Sequence, residues 1–143
     1  QHLGLAQHRL QLEEQMADLQ ANLDEVKEHE KEARALLGDD KIIGVSCYGD
    51  IERAKKYANL GADYVAFGSF FPSPTKPLAK VVEPDVLKVA KAQLSVPICA
   101  IGGINEENIA LLSRYEIAMY SLISAVYKED AIEDNLEKLQ AKI

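Results

Sequence analysis

Residues 62–77 read ADYVAFGSFFPSPTKP and are the most informative stretch of the chain. Its first part is a short apolar run of the kind that forms a buried strand. The part that follows contains three prolines, which stiffen a loop by fixing φ, with Ser73, Thr75 and Lys76 between them. Hydroxyl donors and an ammonium group on a rigid loop suit an anionic oxygen cluster such as a phosphate. A polar surface loop without a ligand explains the stretch equally well when it is taken alone.

Length and composition favour one domain of a protein that is not a membrane protein. The chain has 143 residues, of which 48% are apolar, and it contains no apolar run long enough to cross a bilayer. A signal peptide is not recognisable at its start. Cys47 and Cys99 lie in strand-like segments and are predicted to be buried reduced thiols, so we predict a cytoplasmic location. The net charge of −7 forms no basic face, which argues against a nucleic-acid partner.

The remaining polar residues indicate neither a metal site nor a catalytic side chain. The three histidines all precede residue 30, and none has a cysteine or aspartate at the spacing of metal ligands. We therefore predict no metal site. Four tyrosines are predicted to pack rather than react: Tyr48, Tyr64, Tyr120 and Tyr127.

The N-terminal segment is predicted to be a long α-helix. Residues 3–37 contain no proline and one glycine, and strong helix formers fill the stretch. Five apolar residues follow the 4-3-4-3 spacing of a two-helix seam: Leu12, Met16, Leu19, Leu23 and Val26. Gly38 is a typical helix stop. Two interpretations stay open, because the helix either lies on the main body of the protein or pairs with a helix of another chain.

From residue 41 onward, short apolar strands alternate with helices. The predicted strands are Ile42–Ser46, Asp63–Phe67, Pro97–Ile101 and Ile117–Ile123. The predicted helices are Ile51–Leu60, Pro84–Leu94, Glu106–Arg114 and Ala131–Ala141. Four βα units in succession predict an α/β fold with a parallel sheet on which the helices pack.

Several helix ends can be predicted from single residues. Pro84 suits the first position of a helix, and Asn105 is a candidate cap for the third helix. Asp130, with Glu133 in the first turn that follows, resembles a capping box. Gly61 closes the first helix.

The strand ends are where a ligand is expected, because ligands of parallel α/β proteins gather at the carboxyl ends of strands. Gly102 and Gly103 follow the third strand and precede a helix, so their amides can approach an anion closely. A plain tight turn explains this pair equally well. Ser124 follows the fourth strand and can share a phosphate with Gly103. Ser46 ends the first strand, where it points at a ligand or bonds its own backbone.

Together these segments resemble thiamine-phosphate synthase over residues 32–143. The matching segments are ARALLG at 33–38, IGVS at 43–46, GADYV at 61–65, FPSPTKP at 71–77, AIGGI at 100–104 and ISA at 123–125. The Pro-x-Pro-Thr-Lys loop, followed by Gly-Gly and Ser-Ala at matching spacing, is the most specific part. Related thiamine-pathway proteins with the same barrel are the alternative assignment that these segments fit next best.

The resemblance implies a fold and a reaction. The family is a (β/α)8 barrel, and the four βα units would form half of it. It joins a pyrimidine methyl diphosphate to a thiazole phosphate and releases pyrophosphate. By motif, Gly103, Ile123 and Ser124 would hold the thiazole phosphate, which makes thiazole phosphate, inorganic phosphate or sulfate the expected ligand.

The resemblance also implies roles on the other side of the site. Ser73, Thr75 and Lys76 would contact pyrophosphate and the thiazole substrate, although the family usually has threonine at the position of Ser73. Two catalytic residues are expected: Ser46 near the pyrimidine, and Lys76, which would offset negative charge growing on the leaving group.

The chain departs from the family in its first part. The Gln-x-Arg-x-Lys segment that grips the diphosphate and the acidic positions that bind Mg²⁺ have no counterpart. Residues 5–31 look inserted, because His2-Leu3-Gly4 resembles the end of a family strand. We therefore expect a long helix at 1–38 and an α/β half-barrel at 39–143. The expected protein is a fragment or engineered derivative that retains no cofactor and is inactive alone.

A non-catalytic interpretation remains open beside this one. A half-barrel has open sheet edges and an uncovered inner face, both of which favour association. The chain would then be an α/β scaffold whose heptad helix covers that face or binds a partner helix, with a homo-oligomer as one outcome.

Overall fold

A computed structural model describes residues 9, 11, 13–17, 29, 31–73, 78 and 80–143. The chain divides into two units, Gln1–Lys41 and Ile42–Ile143. In the first unit the described residues up to 37 are helical. The helix ends at Gly38, which has a φ of 77° and donates its amide to the Arg34 carbonyl at 2.9 Å. Most of the predicted heptad seam lies outside the described residues: Leu12, Leu19, Leu23 and Val26.

The second unit contains one sheet of four parallel strands. The strands are β1 (Gly44–Tyr48), β2 (Tyr64–Phe67), β3 (Ile98–Ile101) and β4 (Met119–Ser121). They lie in the order β1-β2-β3-β4, so each strand pairs with its neighbour in sequence. Every pairing is parallel, which confirms the predicted α/β fold.

Helices connect the strands and follow the last one. They are α1 (Ile51–Asn59), α2 (Val86–Gln93), α3 (Ile109–Ser113), α4 (Ser124–Tyr127) and α5 (Ile132–Gln140), with a 3-10 turn at Lys128–Asp130 between α4 and α5. The four predicted helices correspond to α1, α2, α3 and α5. The third helix and the fourth strand are shorter than predicted, and α4 is an additional short helix that begins at Ser124.

The first helix begins at Ile51 as predicted, whereas two other predicted helix starts are wrong. Asp50, which the sequence did not single out, caps α1 by accepting a hydrogen bond from the Arg53 amide at 3.0 Å. Pro84 lies in a turn before α2, so its predicted helical position is wrong. The predicted capping box is also wrong, because Asp130 has a φ of 53° and α5 begins after Ala131 without a side-chain cap.

Asn105 caps the turn that leads into α3. Its side-chain oxygen accepts from the amides of Glu107 at 2.9 Å and Asn108 at 3.1 Å. The turn occupies the residues that were predicted as the first turn of the helix, which is why α3 starts only at Ile109.

The core lies between one face of the sheet and the helices. Val65 and Phe67 of β2 are fully buried, whereas Tyr64 and Ala66, which point to the other face, are half-buried. Buried helix residues complete the core: Ala54 and Tyr57 of α1, Leu87 and Ala90 of α2, Ile109 and Leu112 of α3, and Leu139 of α5. Burying one large apolar side chain contributes roughly 1.5–3 kcal/mol. Helix packing thus covers one face of the sheet and leaves the other partly open.

Cys47 and Cys99 are both buried. None of the helices among the described residues has the length and apolar character needed to span a membrane.

Candidate functional site

A cavity of about 1140 Å³ opens at the carboxyl ends of the strands. All four strand ends contribute to its wall: Ser46 and Tyr48 at β1, Gly68 and Ser69 after β2, Ile101, Gly102 and Gly103 at β3, and Ser121, Leu122 and Ile123 at β4. In parallel α/β proteins this edge is where ligands bind. The fold therefore places one large cavity where the sequence predicts a site.

The predicted site residues that are described all line this cavity. They are Ser46, Ser73, Gly103, Ile123 and Ser124. Thr75 and Lys76 lie outside the described residues, although Ser73 just before them is on the cavity wall. The structure thus brings together loops from separate strands, while the binding roles of these residues stay predictions.

The Gly102-Gly103 turn packs directly against the loop after β2. Gly102 has a φ of 100°, and a β-carbon there would collide with the side chain of Ser69. Gly103 has a φ of 68°, and its β-carbon would collide with the carbonyl oxygens of Phe71 and Pro72. Glycine is therefore required at both positions by close backbone approach as well as by a positive φ. The sequence offered only a tight turn or an anion site as explanations.

Three hydrogen bonds fix the orientation of this turn. The Phe71 amide donates to the Gly102 carbonyl at 3.1 Å. In a trans peptide the C=O and N–H point in opposite directions, so the Gly103 amide points away from Phe71. The side-chain amide of Asn108 donates to the Gly103 carbonyl at 2.9 Å, and its oxygen accepts from the Asn105 amide at 2.8 Å.

Hydrogen bonds that involve residues of α4 and α5 stabilise the loop after β4. Ile123 precedes α4, its carbonyl accepts from the amides of Val126 at 3.1 Å and Tyr127 at 3.2 Å, and its side chain is exposed. The Asn135 side chain donates to the carbonyls of Val126 at 2.9 Å and Lys128 at 2.8 Å. Ser124 is exposed at the start of α4. A second cavity of about 350 Å³ shares Gly103, Ile104 and Ser124 with the first.

Ser46 and Tyr48, at the end of β1, line another part of the 1140 Å³ cavity. The Ser46 carbonyl accepts a hydrogen bond of 3.1 Å from Nε of Arg53. The guanidinium of Arg53 lies 5.8 Å from the centre of the Tyr48 ring and 5.0 Å from that of Tyr57. Tyr48 is 64% exposed, so it does not pack in the core as predicted.

The cavity rim also carries charged residues that the sequence did not single out. Lys80 and three acids, Asp50, Glu52 and Glu83, are among its lining residues. A hydrogen bond of 2.7 Å from the Val82 amide to the Ser69 carbonyl connects the segment around Lys80 with the loop after β2. Lys80 follows the proline-rich loop closely in sequence, and this position could have identified it as a candidate site residue.

The described residues offer neither an exposed thiol nor a group of side chains arranged for a metal. Cys99 lies in β3, and burial raises the pKa of its thiol, which keeps it protonated. Magnesium binds through carboxylate and other oxygen ligands. The described part of the chain holds no group of three or more His, Cys, Asp or Glu side chains arranged for a metal.

The four parallel strands, with a cavity formed at their carboxyl ends, resemble part of an α/β barrel, in which the site is built from loops at that edge of the sheet. The sequence profile of the family described as "Thiamine monophosphate synthase" matches residues 10–126. The chain therefore belongs to the thiamine monophosphate synthase family, as its motifs indicated.

Individual relatives agree with this assignment. Thiamine-phosphate synthase of Acidithiobacillus ferrooxidans is 46% identical over 108 residues, which cover 76% of this chain and 50% of that protein. The enzyme of the same name from Wolinella succinogenes is 48% identical over 95 residues, covering 66% of this chain and 43% of its own length. The chain thus spans about half the length of the curated relatives it matches.

Solved structures give the same result. Thiamine phosphate pyrophosphorylase from Pyrococcus furiosus superposes with a TM-score of 0.69 at 29% identity, covering 79% of this chain and 53% of that one. A 3-hexulose-6-phosphate synthase superposes with a TM-score of 0.58 at 20% identity over 82% of this chain and 56% of its own, a likeness that concerns the fold alone.

Proposed function

We propose that this chain forms the thiazole-phosphate side of a thiamine-phosphate synthase active site. The observation that carries the proposal is the common cavity of Gly103, Ile123 and Ser124, which come from neighbouring strand ends. The family match supports the nature of the ligand, because relatives of this chain are named thiamine-phosphate synthase.

The phosphate would be held by neutral donors. The Gly103 amide points away from the loop after β2, and no side chain at this glycine obstructs a phosphate oxygen. Ser124 adds an amide and a hydroxyl at the start of α4. Hydrogen bonds from such donors to a charged acceptor are stronger than neutral ones, at roughly 1.5–3 kcal/mol each.

The remaining predicted residues would act across the cavity. Ser46 lines the same cavity as Gly103 and would contact the pyrimidine. Ser73, Thr75 and Lys76 follow one another closely along the proline-rich loop and would contact the pyrophosphate and the thiazole. Lys76 would stabilise negative charge on the leaving pyrophosphate, and this is its proposed catalytic role.

Phosphate binding is tested by NMR with ¹⁵N-labelled protein. Titration with thiazole phosphate should shift the amides of Gly103, Ile123 and Ser124, and inorganic phosphate should shift the same amides more weakly. Ser124→Ala should lower the affinity about tenfold, because one hydrogen bond to a charged group is lost. Ser95→Ala is the matched control, since Ser95 is exposed before the start of β3 at the other end of that strand. An absence of shifts at millimolar ligand would refute the phosphate site.

Catalysis by these 143 residues alone is a separate question, and we propose that it does not occur. The proposal is supported by two absences: no three His, Cys, Asp or Glu side chains of the described residues are arranged for a metal, and the sequence has no match to the diphosphate-gripping segment of the family. A coupled assay with both substrates and Mg²⁺ measures this directly. Formation of thiamine phosphate by the pure chain, abolished by Lys76→Ala, would contradict the proposal.

A further inference from the structure

The end of β1 contains a bulge that redirects one aromatic side chain. Ser46 pairs with Ala66 of β2, and Tyr48 pairs with Phe67, so the register shifts between Ser46 and Tyr48. Cys47 is the extra residue. In a regular strand Ser46 and Tyr48 would point to the same face. Because their partners are adjacent residues on opposite faces, the bulge turns Tyr48 away from the direction that the strand would give it.

The backbone of Tyr48 is in an uncommon conformation. Its φ is 58°, in the left-handed region that bulky side chains rarely adopt. A hydrogen bond of 3.0 Å from the Gly68 amide to the Tyr48 carbonyl keeps the chain in place. Such conformations cost about 1–3 kcal/mol and cluster at ligand sites. Burial does not offset this strain, since 64% of Tyr48 remains exposed.

The ring is instead supported on one side by Arg53. The guanidinium lies 5.8 Å from the ring centre, within the range of a cation–π contact. Arg53 is itself fixed, because its Nε donates to the Ser46 carbonyl at 3.1 Å and its guanidinium also contacts the buried Tyr57 ring at 5.0 Å. The Tyr48 ring is thus held by a fixed neighbour on the cavity wall, beside Ser46.

We propose that Tyr48 binds a planar, neutral heteroaromatic ring by stacking, with Arg53 as the positioning residue that holds the tyrosine ring. Aromatic rings prefer offset-stacked contacts, and electron-poor rings suit the electron-rich face of tyrosine. The positive charge of Arg53 on the other side opposes a cationic ligand. The inference deepens the proposed function, on which it rests for the identity of the ring: Tyr48 would hold the pyrimidine and select it in the uncharged form.

The test uses 4-aminopyrimidine at mildly basic pH, where this probe is neutral. Stacking on tyrosine should move its proton resonances upfield in NMR titrations with the whole chain. Tyr48→Phe should keep both the upfield shift and the affinity, because the ring remains. Tyr48→Leu should abolish the upfield shift and weaken binding about fivefold, since it keeps apolar area and loses the aromatic face. Arg53→Met should weaken binding about twofold and reduce the shift, because the ring loses its support.

Controls separate stacking from unfolding and from general apolar binding. Tyr127→Leu is matched, because Tyr127 is 61% exposed and contributes to neither cavity, and it should leave the probe shifts unchanged. The N-methylated cation of the probe should bind more weakly than the neutral form. Circular dichroism establishes that each variant is folded. Upfield shifts that persist in Tyr48→Leu, or an unshifted probe with the wild-type chain, would overturn the inference.

The probe carries no phosphate, so its binding does not depend on Gly103 or Ser124. Probe shifts without any response to thiazole phosphate would support the aromatic site and refute the phosphate site. A response to thiazole phosphate without probe shifts would refute the role of Tyr48 and leave the phosphate site standing.

Discussion

The side-chain amide of Asn108 lies 2.9 Å from the carbonyl oxygen of Gly103 and donates a hydrogen bond to it. The same side chain accepts from the Asn105 amide at 2.8 Å, so one residue satisfies a donor and an acceptor of the turn after β3. This turn carries the amide that we propose for phosphate binding. The geometry of the proposed phosphate site therefore depends on a side chain that does not reach the ligand.

Asn108→Ala should lower the free energy of unfolding by about 1–2 kcal/mol, because two hydrogen bonds of a half-buried turn are lost. Urea denaturation measures the change. Asn59→Ala is the control, since Asn59 is exposed at the end of α1 and its replacement should change stability by less than about 0.5 kcal/mol. Equal stabilities of Asn108→Ala and the wild-type chain would show that the turn is held by other contacts.

Gly103→Ala should be far more damaging than alanine at another glycine with positive φ. At Gly103 the new β-carbon meets the carbonyl oxygens of Phe71 and Pro72, whereas at Gly61, with a φ of 104°, nothing lies within 4 Å. Gly61→Ala should therefore cost about 1–2 kcal/mol from backbone strain alone. Gly103→Ala should cost about 3 kcal/mol or more, because overpacking adds to the strain.

Thermal and urea unfolding of the two variants measure this difference. Phosphate titration adds a second reading, since Gly61→Ala should keep the amide shifts at Gly103 and Ser124. If both variants lose the same stability, close packing of the two loops is not what requires glycine at 103.

The fold was predictable because each strand and most helices have local signals. The apolar run 62–67 and the alternation that follows specify a parallel sheet without knowledge of any long-range contact. The convergence of Ser46, Ser73, Gly103, Ile123 and Ser124 on one cavity also follows from the parallel strand order, since all carboxyl ends meet at one edge.

Features that depend on contacts between distant residues were not predictable. The bulge at Cys47 and the left-handed Tyr48 arise from pairing with β2, which the sequence of β1 does not reveal. The collision of Gly103 with Phe71 is likewise a property of two loops together. Asp130 resembled a cap because its neighbours fit the pattern, yet its positive φ and the absence of a side-chain cap on α5 exclude the capping box.

The heptad seam of the N-terminal segment leads to a prediction about association. Met16, a described member of the seam, is 69% exposed. Because an apolar seam is stabilised by a partner helix, we expect the chain to self-associate through it. Leu19→Asp with Leu23→Asp should reduce the molar mass in analytical ultracentrifugation to that of a monomer while the circular dichroism of the α/β unit persists.

The control for this experiment places the same charges beside the seam. Gln11→Asp with Gln15→Asp has the same spacing and alters exposed helix residues. It should leave the molar mass unchanged. A wild-type chain that sediments as a monomer would exclude the seam as a contact between chains.

Tyr115 gives a prediction about pH. Its hydroxyl donates to Oδ1 of Asp85 at 2.8 Å, and this hydrogen bond, the first of several causes, raises the pKa of Tyr115 above the ordinary tyrosine value of about 10. A raised pKa in the folded state means that the neutral phenol is favoured by folding. The resulting stabilisation is fully present below about pH 10 and is lost as pH rises through the pKa of folded Tyr115.

Asp85→Asn should bring the pKa of Tyr115 down towards the ordinary value, because it removes the charged acceptor, while Arg114 nearby still favours the phenolate. The ¹³C resonance of the Tyr115 ring carbon that bears the hydroxyl reports this ionisation selectively in a chain with six tyrosines. Tyr115→Phe should lower stability at neutral pH, and its difference from the wild-type chain should shrink as pH rises above the tyrosine range. A difference that stays constant across that range would mean that the hydrogen bond to Asp85 does not favour the neutral form.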